Sequence, residues 1–132
     1  MKSLFSKNWI RSKKPRKQRK YVYNAPLHIK SKFLSSPLSK ELKEKYGRRN
    51  VVLRRGDTVR IMRGSHSGSE GKVDFVFPKK GAVFIEGFEK SKGEGSKSRQ
   101  PFKPSNLMIV TLDLSDKIRK EKLTPVGKKE DK

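Results

Sequence analysis

Two arrangements of residues in this chain could do chemistry. The first is Gly56-Asp-Thr-Val-Arg-Ile-Met-Arg-Gly64-Ser-His-Ser-Gly68-Ser-Glu-Gly71-Lys-Val73, where two alternating stretches flank a turn with glycines at 64, 68 and 71. Glycine tolerates positive φ and carries no Cβ, so the amides of such a turn can come close to a phosphate. Arg63 and Lys72 bracket that surface and His66 sits within it. An ordinary tight turn between strands has the same composition, and isolated glycines do not separate the two readings. The second arrangement is Arg11-Ser-Lys-Lys-Pro-Arg-Lys-Gln-Arg-Lys20, with seven basic residues in ten and no acid. Arg11, Lys13, Lys14, Arg16, Lys17, Arg19 and Lys20 repel one another, so the block reads as an extended arm laid along phosphates, or else as a solvated tail or nuclear-localisation patch. Tyr21 and Tyr23 follow at once; they could stack on unpaired bases or pack on the domain, and both readings stay open.

Neither arrangement is catalytic. Asp57 would be the natural general base, but it has no second acid, His partner or nucleophile, which favours a role in a turn. The chain has no Cys and only two His, His28 and His66, which excludes disulfides, thiolate zinc and any Cys/His cluster of ligand spacing. No metal or other cofactor is expected. His28 reads as a helix-surface residue near phosphate.

The elements that must position these residues follow from local signals. Asn24-Ala-Pro26 opens a short helix with Ile29 and Phe33 on one face and Lys30 and Lys32 elsewhere. Ser36-Pro37 caps a second helix that carries Leu38, Leu42 and Tyr46 at i, i+4 and i+8 and ends at Gly47. Arg48 and Arg49 follow it. Strands are expected over 57–63, with Val59 and Ile61 on one face, and over 72–77, with Val73, Phe75 and Phe77 on one face. Residues 82–86 and 107–112 supply two more, with Lys79 and Lys80 in a turn and Lys90–Arg99 as a long, projecting hairpin tip. Short strands at this spacing favour a small closed barrel.

Charge and apolar residues are segregated along the 132 residues. The 35 Lys and Arg exceed the 13 Asp and Glu by 22, one uncompensated charge in six residues, and such self-repulsion calls for a polyanionic partner. Residues 1–50 hold 16 basic and 2 acidic side chains, residues 51–114 hold 12 and 7, and residues 115–132 hold 7 and 4. Leu, Ile, Val and Phe number 19 among the 64 residues of the middle segment and 13 among the other 68, so the middle segment alone is expected to make a core. The resulting division is a basic extended arm (1–24), a short helical segment (25–50), a barrel (51–114) and a charged tail (115–132) with helical character from Asp116 to Leu123. The arm is expected to be disordered until it meets its partner. The longest apolar run, Leu107 to Val110, is far below the roughly 20 residues of a spanning helix. With no secretory h-region at the N-terminus, a cytoplasmic location is expected.

The glycine-punctuated element resembles the KOW motif of ribosomal and transcription proteins, which implies an SH3-like barrel. Lys14-Pro-Arg-Lys-Gln-Arg-Lys-Tyr, Asn24-Ala-Pro-Leu-His-Ile, Ser36-Pro-Leu-Ser-Lys-Glu-Leu and Pro104-Ser-Asn-Leu-Met-Ile extend the likeness. Together they resemble the archaeal and eukaryotic form of universal large-subunit ribosomal protein 24 over residues 13–120. The resemblance implies a structural constituent of the large subunit that binds its rRNA, joins early in assembly and lies near the polypeptide tunnel exit. Its partners would be rRNA and neighbouring ribosomal proteins, with no membrane insertion and no homo-oligomer. The expected RNA contacts are the arm cations, Tyr21, Tyr23, His28, Lys30, Lys32, Arg48, Arg49, Arg63, Gly64, His66, Gly68, Gly71, Lys72, Lys79, Lys80 and Lys103. Two departures bear on them: the family often has Lys where Ser67 stands, and His where Lys103 stands. Two other classes compete: a KOW-type transcription-elongation module, which would favour a less basic surface and a companion domain, and a non-specific nucleic-acid-binding architectural protein.

Overall fold

The computed structural model describes residues 5, 6 and 12–124. In chain order the elements are α1 (Pro15–Asn24), α2 (Leu27–Lys32), β1 (Ser35–Pro37), α3 (Lys40–Tyr46), β2 (Asn50–Val52), β3 (Thr58–Ile61), β4 (Glu70–Phe77), β5 (Ala82–Ser91), β6 (Lys97–Phe102), a 3₁₀ turn (Pro104–Asn106), β7 (Leu107–Thr111) and α4 (Lys117–Leu123). The fold is mainly β. Five strands form one antiparallel sheet in the order β6-β5-β4-β3-β7, and β1 pairs with β2 in a second. β6 and β7 are consecutive in the chain yet lie at opposite edges. In a flat sheet those edges would stand about 19 Å apart, farther than four connecting residues that include a 3₁₀ turn at about 2 Å per residue reach. The sheet therefore curls, and Phe102 of β6 shares one core with Leu107 and Ile109 of β7. No ladder joins these two edges among the described residues, so the expected barrel is not closed.

Alternation makes that core. Val59 and Ile61 of β3, Val73 of β4 and Val83 of β5 are fully buried, as the period of two requires for a sheet with one apolar face. The core is not confined to the middle segment, however. Leu34 and Leu38 from the N-terminal side and Leu123 from the C-terminal side belong to the same cluster. Segment composition hides single leucines placed at the right register.

Three further expectations are corrected. The helix begins at Lys40, three residues later than its proline suggested. Ser36 spends its hydroxyl on the carbonyl of Pro104 (2.6 Å), so Ser39 provides the cap, accepting from the Leu42 amide, and Pro37 sits in an edge strand where its missing N–H costs nothing. In β4, the ladder advances from Val73 to Phe75 while its partner advances only from Ile85 to Phe84, which makes Asp74 the extra residue of a bulge. A one-residue slip reverses the faces, so Val76 packs on the core and Phe75 is 49% exposed. Half of Lys90–Arg99 is paired strand rather than loop. Glu89, Lys90 and Ser91 face Arg99, Ser98 and Lys97, and the tip is only residues 92–96, closed by the Lys92 amide on the Ser96 carbonyl (2.8 Å). A ribbon with no core on either face has no hydropathy signal.

Gly71, expected to give a phosphate access to the backbone, instead lies inside β4 against β5. A Cβ there would stand 2.4 Å from Ile85 Cγ2 and 3.2 Å from Phe88 Cε2. Gly71→Ala is predicted to cost about 1–3 kcal/mol in urea unfolding, the usual range for overpacking. Gly93→Ala, where nothing lies within 4 Å, should cost under about 0.5 kcal/mol. Equal costs would contradict the assignment.

Candidate nucleic-acid interface

The β3–β4 turn is a compact, self-bonded loop. Gly64 and Gly68 adopt φ of 97° and 88°, which L side chains rarely do. The amides of Ser67, Gly68 and Ser69 are consumed by the carbonyls of Gly64, Ile61 and His66 at 3.1, 2.8 and 3.1 Å. Among the described residues the amides of Gly64, Ser65 and His66 have no protein acceptor, so phosphate access narrows to that arc. The His66 ring turns inward: Nε2 lies 3.2 Å from Gln100 Oε1, and the ring meets Phe88 edge-on at 5.1 Å. Its side chain clips the turn to β6, which leaves its amide rather than its ring for a phosphate.

Arg63 and Lys72 are both exposed but do not bracket one surface. Lys72 pairs with Thr58 at the far end of β3, five residues from Arg63 and about 17 Å away along the strand. The connection that follows Lys103 comes closer, because the Met62 amide donates to the Asn106 carbonyl (2.8 Å). Arg63, the Gly64–Gly68 turn and Lys103 therefore form one group. Lys79 and Lys80 occupy the β4–β5 turn at the opposite end of β4, with Lys80 Nζ 5.9 Å above the Phe77 ring.

The arm differs from its expected form. Arg16, Lys17, Arg19 and Lys20 lie on α1, a helix that starts at Pro15 and has no buried residue. Lys, Arg and Gln are good helix formers, and like charges four apart, such as Arg16 and Lys20, cost only tenths of a kcal/mol. An aromatic anchor outweighs that cost: the Tyr21 ring lies 4.9 Å from Phe5 and 6.1 Å from Phe33. Tyr21 thus packs on the protein, whereas Tyr23 is 80% exposed. Lys13, Lys14, His28, Lys32, Arg48, Arg49 and Lys103 are exposed and Lys30 is half-buried. Arg11 lies outside the described residues, as does the tail beyond residue 124.

Ion pairing divides the cations. Five pairs occur among the described residues, and they engage Arg54, Arg60, Lys97, Arg99 and Arg119 with Asp116, Glu70, Glu89, Asp74 and Asp57. Lys97 and Arg99, which a projecting hairpin tip would bring with Lys92 onto rRNA or a neighbouring protein, are thus paired, whereas none of the described cations expected in the arm, the helical segment or the turns takes part.

Asp57 is the fixed point of the unit. Its side chain is fully buried, and each carboxylate oxygen accepts two bonds. The amides of Arg54 and Asp113 donate at 2.9 and 3.0 Å, and the Arg119 guanidinium donates through both terminal nitrogens at 2.7 Å. Arg119 also donates to the carbonyls of Asp113 and Val52. With every lone pair committed and no solvent access, Asp57 is unable to act as a base. Gly56, next in the chain, turns the backbone at a φ of 94°, which favours glycine, and a Cβ there would stand 2.6 Å from Asp113 Oδ2. Hydrogen bonds from Ser115 hold the Asp113 carboxyl below its ordinary value, and the Arg54 hydrogen bond does the same for Asp116. Because both folded values lie below the unfolded one, their contribution is complete above about pH 4 and fades as the pH falls through the folded values.

Residues 12–125 match the family model that describes ribosomal protein L26 of eukaryotes and its archaeal L24 counterpart. The chain is 50% identical over 121 residues to large ribosomal subunit protein uL24 of Nanoarchaeum equitans, covering 92% of this chain and 81% of the relative. It is 45% identical over 113 residues to uL24 of Methanospirillum hungatei (86% and 94%) and 43% identical over 120 residues to uL24 of Korarchaeum cryptofilum (91% and 92%). The chain belongs to the uL24 family. Two of the strings that carried the resemblance converge in space: Ser36 bonds Pro104, and the Ser39 amide donates to the Ile109 carbonyl at 2.9 Å. The family signature here is a packing contact.

Sequence reasoning missed Arg119 and underrated the tail. The helix expected at Asp116 to Leu123 forms as α4, and the available signal for Arg119 is a motif aspartate that needs a cation if buried. Arg119→Ala is predicted to cost about 3–5 kcal/mol, or to leave the chain unfolded at 25 °C, because it strands a buried carboxylate. Arg119→Lys should recover only part of that, since a single ammonium does not reproduce the two-pronged contact. A urea midpoint unchanged in Arg119→Ala would contradict this.

Proposed function

We propose that the chain is a structural constituent of the large ribosomal subunit that binds large-subunit rRNA. One observation carries the reading: the exposed cations of α1, of residues 48–49, of the group around Arg63 and of the β4–β5 turn have no ion-pair partner among the described residues, in a chain of net charge +22 whose relatives are named as large-subunit proteins. The work is electrostatic positioning. Lys and Arg neutralise phosphates, and the counterions released supply much of the free energy. Arg63, Lys103 and the amides of Gly64 to His66 make one phosphate site, and Lys72 makes a second. α1, anchored on the protein through Tyr21 and burying no residue of its own, lays its cations along the RNA, with Tyr23 available to a base. In keeping with the family resemblance, the protein joins early in assembly, works in the cytoplasm and sits near the tunnel exit beside neighbouring large-subunit proteins.

The test is the salt dependence of binding to a transcript of the 5′ region of large-subunit rRNA. Arg63→Ala and Lys72→Ala should each weaken binding and each reduce the magnitude of the log–log salt slope by somewhat less than one unit. Because the two lie about 17 Å apart, the double variant should lose the sum. An unchanged slope in both single variants would place the RNA elsewhere.

A further inference from the structure

The outer face of the sheet carries aromatic rings that the core does not use. Phe75 lies between Phe77 of its own strand and Phe84 of β5, 6.1 Å from each ring centroid at an interplanar angle of 32°. The Asp74 bulge puts it there, and about half of its surface meets solvent. Phe75 also lines an open cleft of about 650 Å³ together with Arg54, Arg55, Asp74, Arg99 and Asp116. Arg119 lines it as well, and three of the four arginines are committed, Arg54 to Asp116, Arg99 at 2.7 Å to Asp74 and Arg119 to Asp57. Arg55 is exposed and has no ion-pair partner among the described residues. The cleft thus offers one aromatic face with one uncommitted guanidinium beside it, between walls held by ion pairs.

That combination has a specific complement. An aromatic face stacks on the π-face of any base, and a guanidinium takes a phosphate oxygen in a planar fork. A duplex keeps its bases stacked on one another, so only an unpaired nucleotide can present a face to Phe75. We infer that the Phe75 cleft holds an unpaired RNA base, stacked on the Phe75 ring with its phosphate at Arg55. This subsite rests on the RNA-binding reading and is separate from the Gly64–Gly68 turn, since Phe75 lies five residues beyond Glu70, about 17 Å along β4.

The test uses the full chain, hexa-adenylate and a short RNA duplex, at about 0.2 M salt, where purely phosphate-driven binding is weakened. Hexa-adenylate should shift the Phe75 ring resonances upfield. Phe75→Ala and Phe75→Leu should each weaken hexa-adenylate about fivefold or more, the loss of one base–aromatic stack, and change duplex affinity less than about twofold. Arg55→Ala should weaken hexa-adenylate as well. Phe75→Leu guards against misfolding, because it keeps apolar bulk while removing the π-face; an apolar protein-docking site would tolerate it, and full affinity in that variant overturns the stack. If hexa-adenylate binds but leaves the Phe75 ring unshifted, the cleft assignment fails while the RNA-binding reading stands. If neither RNA binds the wild-type chain, both fail.

Discussion

A carboxylate without access to water must have all its lone pairs met, and Asp57 imposes that requirement on the whole unit. Its four donors come from three places: the loop ahead of β3, the chain leaving β7, and α4. Each donor fixes the backbone that carries it, so the strand ends, the connection and the C-terminal helix are registered to one another through a single side chain. Gly56 is part of the same device, because its φ of 94° is one that L side chains rarely adopt. The Gly-Asp pair of the motif is thus a structural joint. Of the two proposed phosphate sites, the Gly64–Gly68 turn lies at the other end of the β3–β4 hairpin, whereas Lys72, opposite Thr58, lies beside the joint.

The electrostatics of the surface follow from what the joint and the ion pairs consume. Exposed pairs such as Arg60–Glu70 and Lys97–Glu89 add little stability of their own in water. Their consequence is to take most of the acidic side chains of the sheet out of play. The remaining cations repel one another across a small domain, a cost that a polyanion relieves on binding. The proposed affinity for RNA and the repulsion within the free protein have the same source.

Where the chemistry was local, the sequence was legible. The alternation around Val59 and Ile61, the glycine ending α3 and the turn at Gly64–Gly68 each gave their element within a few residues. The four family strings gave the rest of the assignment. What the sequence concealed was tertiary. The basic run became α1 because Tyr21 found Phe33 and Phe5. Phe75 left the core because one residue, Asp74, is extra in the ladder. Ser36 declined its cap because Pro104, 68 positions away, offered a buried acceptor. Arg119 looked like one more charge in a charged tail until Asp57 proved to be buried. In each case the deciding partner lies beyond any local window, and no periodicity reports it.

The most direct measurement is sedimentation of the tagged protein, expressed at its natural level, on a sucrose gradient of cell extract. The protein should travel in the large-subunit and whole-ribosome peaks at one copy per subunit and leave them when salt is raised, as expected of a phosphate-held constituent. Recovery at the top of the gradient in low salt, or in fractions that carry polymerase or DNA instead of large subunits, would contradict this.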